Sequence, residues 1–267
     1  MLTAGLSLGL TTLPREPKLG LKRLGYPVGY WRCPEFAYVW DTLGQEATQR
    51  ILDLGSPKDL AIFLARHRQQ EVVATDIMSR PTTISRRYAE AGKLAGEGPG
   101  HVRSEQQDGR ALSYEDNSFD AAYSVSVLEH IPDTGDTAAM RELLRVVKPG
   151  GIVVVTVPFA KKRYDEFHDG DVYERRSQNG EPVFFQRHYD DEDLRERLIN
   201  LPGAELVDLR FWGERMVHVE NLITKAGPFR LALCPLEWPL SMLFLREVNG
   251  SSTHRPMAAF FTVRKRA

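Results

Sequence analysis

The chain has 267 residues, with 35 Lys and Arg against 36 Asp and Glu, which leaves a formal net charge of -1 at pH 7. That balance excludes a global electrostatic drive toward nucleic acid or an anionic membrane, and no apolar run approaches the roughly 18 to 20 residues that a bilayer-spanning helix needs. The length suits one elaborated domain with a substantial core, and Cys33 and Cys234, lacking any metal-ligand spacing, read as reduced thiols rather than a disulfide.

Residues 1–42 form an N-terminal arm. Its first 13 residues are moderately apolar but lack the basic start of a signal peptide. Tyr26, Tyr30, Trp31, Phe36, Tyr38 and Trp40 crowd ahead of the first strand. They read either as a lid or as a segment that covers the core, since aromatics bury large areas wherever they sit. Residues 43–267 read as one α/β domain. Ile51, Leu52 and Leu54 make a buried parallel strand, and Gly55 permits the sharp turn after it. Ser56 and Asp59 have the spacing of a capping box around Pro57, and a helix is expected over 58–66.

The alternation then continues. A strand over 71–75 ends at Asp76, a helix follows over 82–94, and a third strand lies at 102–106. After the turn Asp108-Gly109-Arg110 comes a fourth strand, 118–125. The helix over 137–147 carries Met140, Leu143, Leu144 and Val147 at helical spacing and is stopped by Lys148-Pro149-Gly150-Gly151 before a strand at 152–157. Residues 159–190 break the rhythm with a polar and aromatic insertion. A helix at 191–198 and strands at 205–211 and 258–264 complete the pattern. The apolar segment at 229–245, interrupted by Arg230, Pro235, Glu237 and Pro239, reads as a core or homodimer-contact helix, with membrane-surface contact as its weaker alternative.

Strands and helices alternating in this way demand a mostly parallel, doubly wound sheet of seven strands, with ligands bound beyond the carboxyl ends of the strands. Four marks sit there: Asp53-Leu54-Gly55, Asp76, Asp108-Gly109-Arg110 and Leu128-Glu129-His130. Asp76 lies 21 positions beyond Gly55, close to the roughly 20-residue offset at which an acidic side chain can accept both ribose hydroxyls. A G-x-G-x-x-G turn and a phosphate-binding P-loop are both absent, which argues against a nicotinamide dehydrogenase and a phosphate cradle.

Together with Phe119-Asp120, Ser126-Val127-Leu128-Glu129-His130-Ile131 and the run from Leu143 to Gly151, these marks resemble the class I S-adenosylmethionine-dependent methyltransferases, specifically their small-molecule, type 11-like group. The resemblance covers about residues 48–160 and implies a Rossmann-like methyltransferase fold, with the last strand antiparallel beside the one at 205–211. It implies S-adenosylmethionine as cofactor, with Asp53, Gly55 and Ser56 at its methionyl part, Asp76 and Ile77 at the ribose, Asp108 and Gly109 at the adenine, and Ser126, Val127 and Glu129 along the cleft. The chain departs from the family where Pro57 and Asp59 replace glycines. The Asp- or Asn-Pro-Pro-aromatic tetrad of amino-base methyltransferases is also missing.

The activity so implied is transfer of a methyl group to an oxygen or nitrogen of a small metabolite, sugar or biosynthetic intermediate, in the cytoplasm and without nucleic acid as partner. A non-catalytic scaffold of the same fold and an RNA or protein methyltransferase remain as alternatives. His130 is the candidate base, because it follows the fourth strand and an imidazole is intrinsically suited to proton transfer near neutrality; a helix-start histidine bonded to backbone is its other reading. The insertion adds Tyr164, Asp165, His168, Asp169, Asp171, Tyr173, His188 and Tyr189 as candidate substrate contacts, with His168 and His188 as further catalytic candidates. His168, Asp169 and Asp171 read as a solvated loop, so no metal site is expected. Lys161, Lys162, Arg163, Arg175 and Arg176 read as a solvated rim or as a hold on an anionic acceptor group.

Overall fold

The computed structural model describes residues 2–173, 180–215, 219–225, 233–248 and 255–267. In chain order the elements are α1 (Leu2–Thr12), α2 (Pro17–Gly25), α3 (Arg32–Gly44), β1 (Arg50–Leu54), α4 (Asp59–Arg68), β2 (Glu71–Asp76), α5 (Ser79–Ala91), β3 (Val102–Gln106), β4 (Phe119–Val125), α6 (Gly135–Val146) and β5 (Val147–Pro158). They continue with β6 (Tyr164–His168), β7 (Val183–His188), α7 (Asp191–Leu194), β8 (Ala204–Glu214), α8 (Val219–Lys225), α9 (Glu237–Phe244), β9 (Leu245–Val248) and β10 (Ala258–Lys265).

The main sheet runs β3-β2-β1-β4-β5-β10-β8-β9. The first five strands are parallel, and β10 is antiparallel to both β5 and β8. The sheet is therefore the doubly wound one expected, with one correction: it has eight strands rather than seven, because β9 pairs with the edge of β8 from Phe211 to Glu214. Four residues following an apolar helix carry no alternation long enough to read as a strand.

Strand period sorts the core into two layers. Leu52 and Leu54 of β1 point into a cluster with Met140, Leu143 and Leu144 of α6 and with Leu194, Leu198 and Ile199. Ile51 points the other way, into a cluster built from α1, α3, α4 and α5. Phe36, Tyr38, Val39 and Leu43 of α3 belong to that second layer. The aromatic arm is thus largely core, and Arg32 is the point at which it reaches the cleft described below.

Three further corrections concern local structure. The capping box expected at Ser56 and Asp59 does not form: α4 starts without a side-chain cap. Ser56 Oγ instead accepts from the Val125 N–H at 2.9 Å, and Asp59 pairs with Arg23 of α2 at 2.6 Å. Tertiary partners have displaced the local ones. The insertion is also less irregular than expected, since β6 and β7 pair as an antiparallel hairpin, with His168 at the end of a strand rather than in a loop. Helix α5 begins at Ser79, three residues earlier than its periodicity suggests.

Candidate functional site

Beyond the carboxyl ends of the parallel strands lies a cleft of about 470 Å3, lined among others by Arg32, Gly55, Asp76, Asp108, Ser126 and His130. The strand tips are laced together by hydroxyls. Thr75 donates to the Asp53 carbonyl at 2.8 Å and Ser124 to the Leu54 carbonyl at 3.0 Å. These bonds hold β2 and β4 in register with β1 where the chain leaves the sheet.

Gly55 adopts φ +70°, the left-handed region that a residue without Cβ enters at little cost. A Cβ there would sit 2.6 Å from Val127 Cγ1, so the glycine also allows the β1 and β4 turns to close on each other. Asp53 and Ser56 do not line the cleft. Asp53 is fully buried beneath the turn, where its Oδ1 accepts the Ser56 N–H at 3.0 Å, and burial pushes its carboxyl up to about 6. Both residues shape the turn from behind.

Asp76 does line the cleft. Its Oδ1 accepts the Met78 N–H at 3.0 Å, and its Oδ2 lies 3.4 Å from Lys58 Nζ. Lys58 is itself buried and donates to the Thr75 carbonyl at 2.7 Å. Where the resemblance expects a glycine-rich turn, this chain threads a lysine beneath the turn to the end of β2. Ile77 is 52% exposed beside Asp76 on the cleft wall. Asp108 and Gly109 follow along the same wall; Arg110 grips the Asp108 carboxylate with bonds as short as 2.7 Å and holds it below the usual carboxylate range. Gly109 packs so close to Leu54 that a Cβ would lie 2.9 Å from its Cδ1.

The fourth strand delivers the remaining groups. Ser126 has φ +50°, an unusual value for a residue with a side chain, and the turn is held from both ends. Its N–H donates to the Thr156 carbonyl at 2.9 Å and its hydroxyl to Glu35 Oε1 at 2.5 Å. Glu35 also accepts from Thr156 Oγ1 at 2.8 Å and from Arg32 at 2.6 Å. The arm therefore bolts the turn in place through one buried carboxylate. Glu129 is 1% exposed, so it supports the turn instead of lining the cleft. Burial, with Glu35 nearby, pushes its carboxyl up to about 8.

His130 lines the cleft, and its Nδ1 lies 2.8 Å from the Phe185 carbonyl of β7. A carbonyl only accepts, so in the neutral ring Nδ1 carries the hydrogen and Nε2 the lone pair. Nε2 lies 3.4 Å from the Tyr173 hydroxyl and 3.8 Å from Glu129 Oε1. Both sequence readings of this residue are realised together: it is bonded to backbone and it faces the cleft. Tyr173 and Phe185 pack on the ring with centroids 4.8 and 5.1 Å away, giving the cleft an aromatic corner.

His168 and His188 do not line the cleft. Both flank Glu166 on the hairpin, at 3.0 and 3.3 Å. His168 stacks on Phe185 and His188 on Tyr164, each at 4.2 Å between centroids, and burial lowers the His188 pKa. Arg175 and Arg176 lie outside the described residues, as does part of the 229–245 segment. Sequence reasoning missed Arg32, Glu35 and Lys58. For Lys58 a signal existed, a cation in the turn 18 positions before the acidic strand end; Arg32 and Glu35 sit in the arm, where aromatic content drew the attention.

The residues 52–155 match the family model described as a methyltransferase domain. Among curated relatives, the ubiquinone/menaquinone biosynthesis C-methyltransferase UbiE of Edwardsiella ictaluri is 30% identical over 182 residues, which are 59% of this chain and 67% of that protein. The 2-methyl-6-phytyl-1,4-hydroquinone methyltransferase of Synechocystis is 56% identical over 48 residues, 18% of this chain and 14% of that enzyme. The chain spans less than half the length of several other curated relatives that it matches. Among solved structures, the YcgJ protein of Bacillus subtilis superposes with a TM-score of 0.57 at 14% identity, covering 88% of this chain and 99% of that one, which establishes the shared fold.

The chain belongs to the class I S-adenosylmethionine-dependent methyltransferases. That membership implies S-adenosylmethionine as the methyl donor. The cleft fits such a molecule: two glycines clear its wall, a carboxylate suited to a diol stands at the end of β2, and the Arg32 guanidinium, which lines the cleft along with Arg110, suits a carboxylate.

Proposed function

We propose that this chain transfers the methyl group of S-adenosylmethionine to a small aromatic acceptor that carries an ionisable hydroxyl. The observation that carries the reading is His130, whose Nδ1 is tied to the Phe185 carbonyl while the ring stands in the same cleft as Gly55, Asp76 and Asp108. Asp76 would take the ribose hydroxyls, Asp108 and Gly109 the adenine side, and Arg32 the methionyl carboxylate. When bound, the donor supplies a sulfonium-activated methyl carbon open to in-line displacement.

Few protein groups are needed beyond positioning. His130 Nε2 accepts the hydroxyl proton of the acceptor, and the rings of His130 and Tyr173, backed by Phe185, give a planar acceptor an aromatic wall. On loss of that proton the acceptor's electron density lies on oxygen and on the adjacent ring carbons. Transfer to oxygen or nitrogen is the outcome read from the sequence, and for a hydroxyl-bearing acceptor it is transfer to oxygen. Transfer to carbon is the second reading, supported by relatives whose names are those of C-methyltransferases of quinone biosynthesis. The cytoplasm is the location we propose with this function.

Calorimetry with S-adenosylmethionine and S-adenosylhomocysteine tests the donor site. Both should bind, and Asp76→Ala should weaken both by roughly tenfold to a hundredfold, the loss of a buried charged hydrogen-bond partner. A folded protein that binds neither would refute the activity; undiminished binding by Asp76→Ala would refute the ribose assignment alone. Labelled methyl transfer to a panel of hydroquinones, catechols and phenols, repeated with His130→Ala, then tests the acceptor class. Binding without transfer to any of them would favour the non-catalytic scaffold.

A further inference from the structure

A second cavity of about 470 Å3 opens between α2 and α5, sharing no lining residue with the cleft, and is lined by Lys18, Leu19, Lys22, Arg80, Thr83, Ile84 and Arg87. Arg87 is paired with Glu16. Lys18, Lys22 and Arg80 are exposed, and none has a carboxylate within ion-pair distance among the described residues. Three uncompensated cations in one groove stand out in a chain whose formal net charge is -1.

The helical hairpin beside the groove adds apolar surface. Gly9 packs closely on Leu24 and Gly20 on Leu13, which draws α1 and α2 together, and Gly5 packs on Pro27 just beyond α2. Leu10 of α1 is 60% exposed, and Leu21 of α2 is 61% exposed between Lys18 and Lys22 in sequence. A large leucine in water forfeits most of the gain its burial would bring, and two such residues lie on the hairpin whose second helix carries Lys18 and Lys22.

We propose that the α1–α2 hairpin and the start of α5 form a docking surface for an anionic lipid bilayer. Charge complementarity and apolar exposure both favour that partner. Lysine and arginine side chains beside a membrane are drawn to anionic headgroups, while adjacent leucines enter the boundary between headgroups and acyl chains. A nucleic-acid backbone would satisfy the cations and leave Leu10 and Leu21 in water. Arg80 lies two positions beyond Met78, which lines the cleft, so a docked chain holds its donor cleft close to the bilayer. The proposal is independent of the acceptor assignment.

Vesicle flotation of the full chain tests it. The parent protein should float with vesicles of phosphatidylcholine containing about a third phosphatidylglycerol, should stay down with phosphatidylcholine alone, and should be released by molar salt, which screens the attraction. The Lys18→Glu/Lys22→Glu/Arg80→Glu variant should lose at least about tenfold in partitioning, as expected for reversing three surface charges. The Leu10→Ser/Leu21→Ser variant should weaken binding at constant charge. Arg266→Glu, at an exposed residue just past the end of β10, should behave as the parent. All changed side chains are exposed, and matching melting curves would show that the variants fold.

Any of four results would overturn the proposal: no flotation of the parent, equal flotation of the charge-reversed triple variant, displacement by millimolar inorganic phosphate, or equal binding to neutral vesicles. Self-association in sedimentation that Leu10→Ser/Leu21→Ser abolishes would assign the surface to a second copy instead.

Discussion

The Ser126 hydroxyl donates to Glu35 at 2.5 Å, joining residues 91 positions apart. Through this bond the N-terminal arm reaches the turn that carries His130, and Thr156 on β5 shares the same carboxylate oxygen. Glu35→Ala would leave two hydroxyls and Arg32 without their acceptor. We expect a loss of about 2 to 4 kcal/mol in urea denaturation, together with weaker donor binding. Glu35→Gln, which keeps one carbonyl acceptor, should lose less. Equal stability of Glu35→Ala and the parent would show that the arm is only a cover.

Gly55 separates two effects that its position combines. Its φ of +70° strains any residue with a Cβ, and Val127 occupies the place where that atom would go. Gly55→Ala should lose about 1 to 3 kcal/mol of stability and bind S-adenosylmethionine about tenfold less well. Adding Val127→Ala removes the collision but not the backbone strain, so the double variant should recover only part of both losses. Full recovery would mean that backbone conformation contributes nothing.

Glu129 predicts a pH dependence of stability. Its carboxyl is raised in the folded chain from an ordinary 4.5 to about 8 by burial and by Glu35. Between those values the folded state keeps a proton that the unfolded state has released, so the stability this group contributes is fully present below about pH 4.5 and is lost as pH rises toward 8. Glu129→Gln removes this proton linkage. The stability difference between variant and parent should shift in favour of the variant by on the order of a few kcal/mol between pH 4.5 and 8.5, read from denaturant midpoints across that range. A difference that does not change with pH would show that the side chain ionises normally. Asp53, raised to about 6, adds a similar but earlier fall to the parent curve and cancels in the comparison.

The order of strands and the four strand-end marks were legible because each rests on local chemistry: apolar runs, a glycine at a sharp turn, an acid where a strand stops. Ser56 misled for the opposite reason. Its spacing to Asp59 is that of a cap, yet the Val125 amide and Arg23 are stronger claimants that only the folded chain brings near. Lys58 and Glu35 act across 18 and 91 positions, to Asp76 and Ser126 respectively; only the place of a cation in the turn hints at the first, and nothing near Glu35 announces the second. The β6–β7 hairpin was obscured because its outward positions and its packing positions are both aromatic or charged, which erases the alternation that marks a half-buried strand.

Acceptor preference in such enzymes can drift by exchanging whatever covers the mouth of the cleft, provided the cover and the reactive group are separate parts. With His130 in the role proposed above, that group and the insertion meet at one atom, the Phe185 carbonyl oxygen of the hairpin, which fixes the tautomer of the His130 ring. A transplanted hairpin that failed to return a carbonyl to that spot would change which ring nitrogen can take a proton along with what can enter. In this chain, diversification of substrate choice is tied to preservation of a single backbone position, a constraint on natural variants and on designers alike.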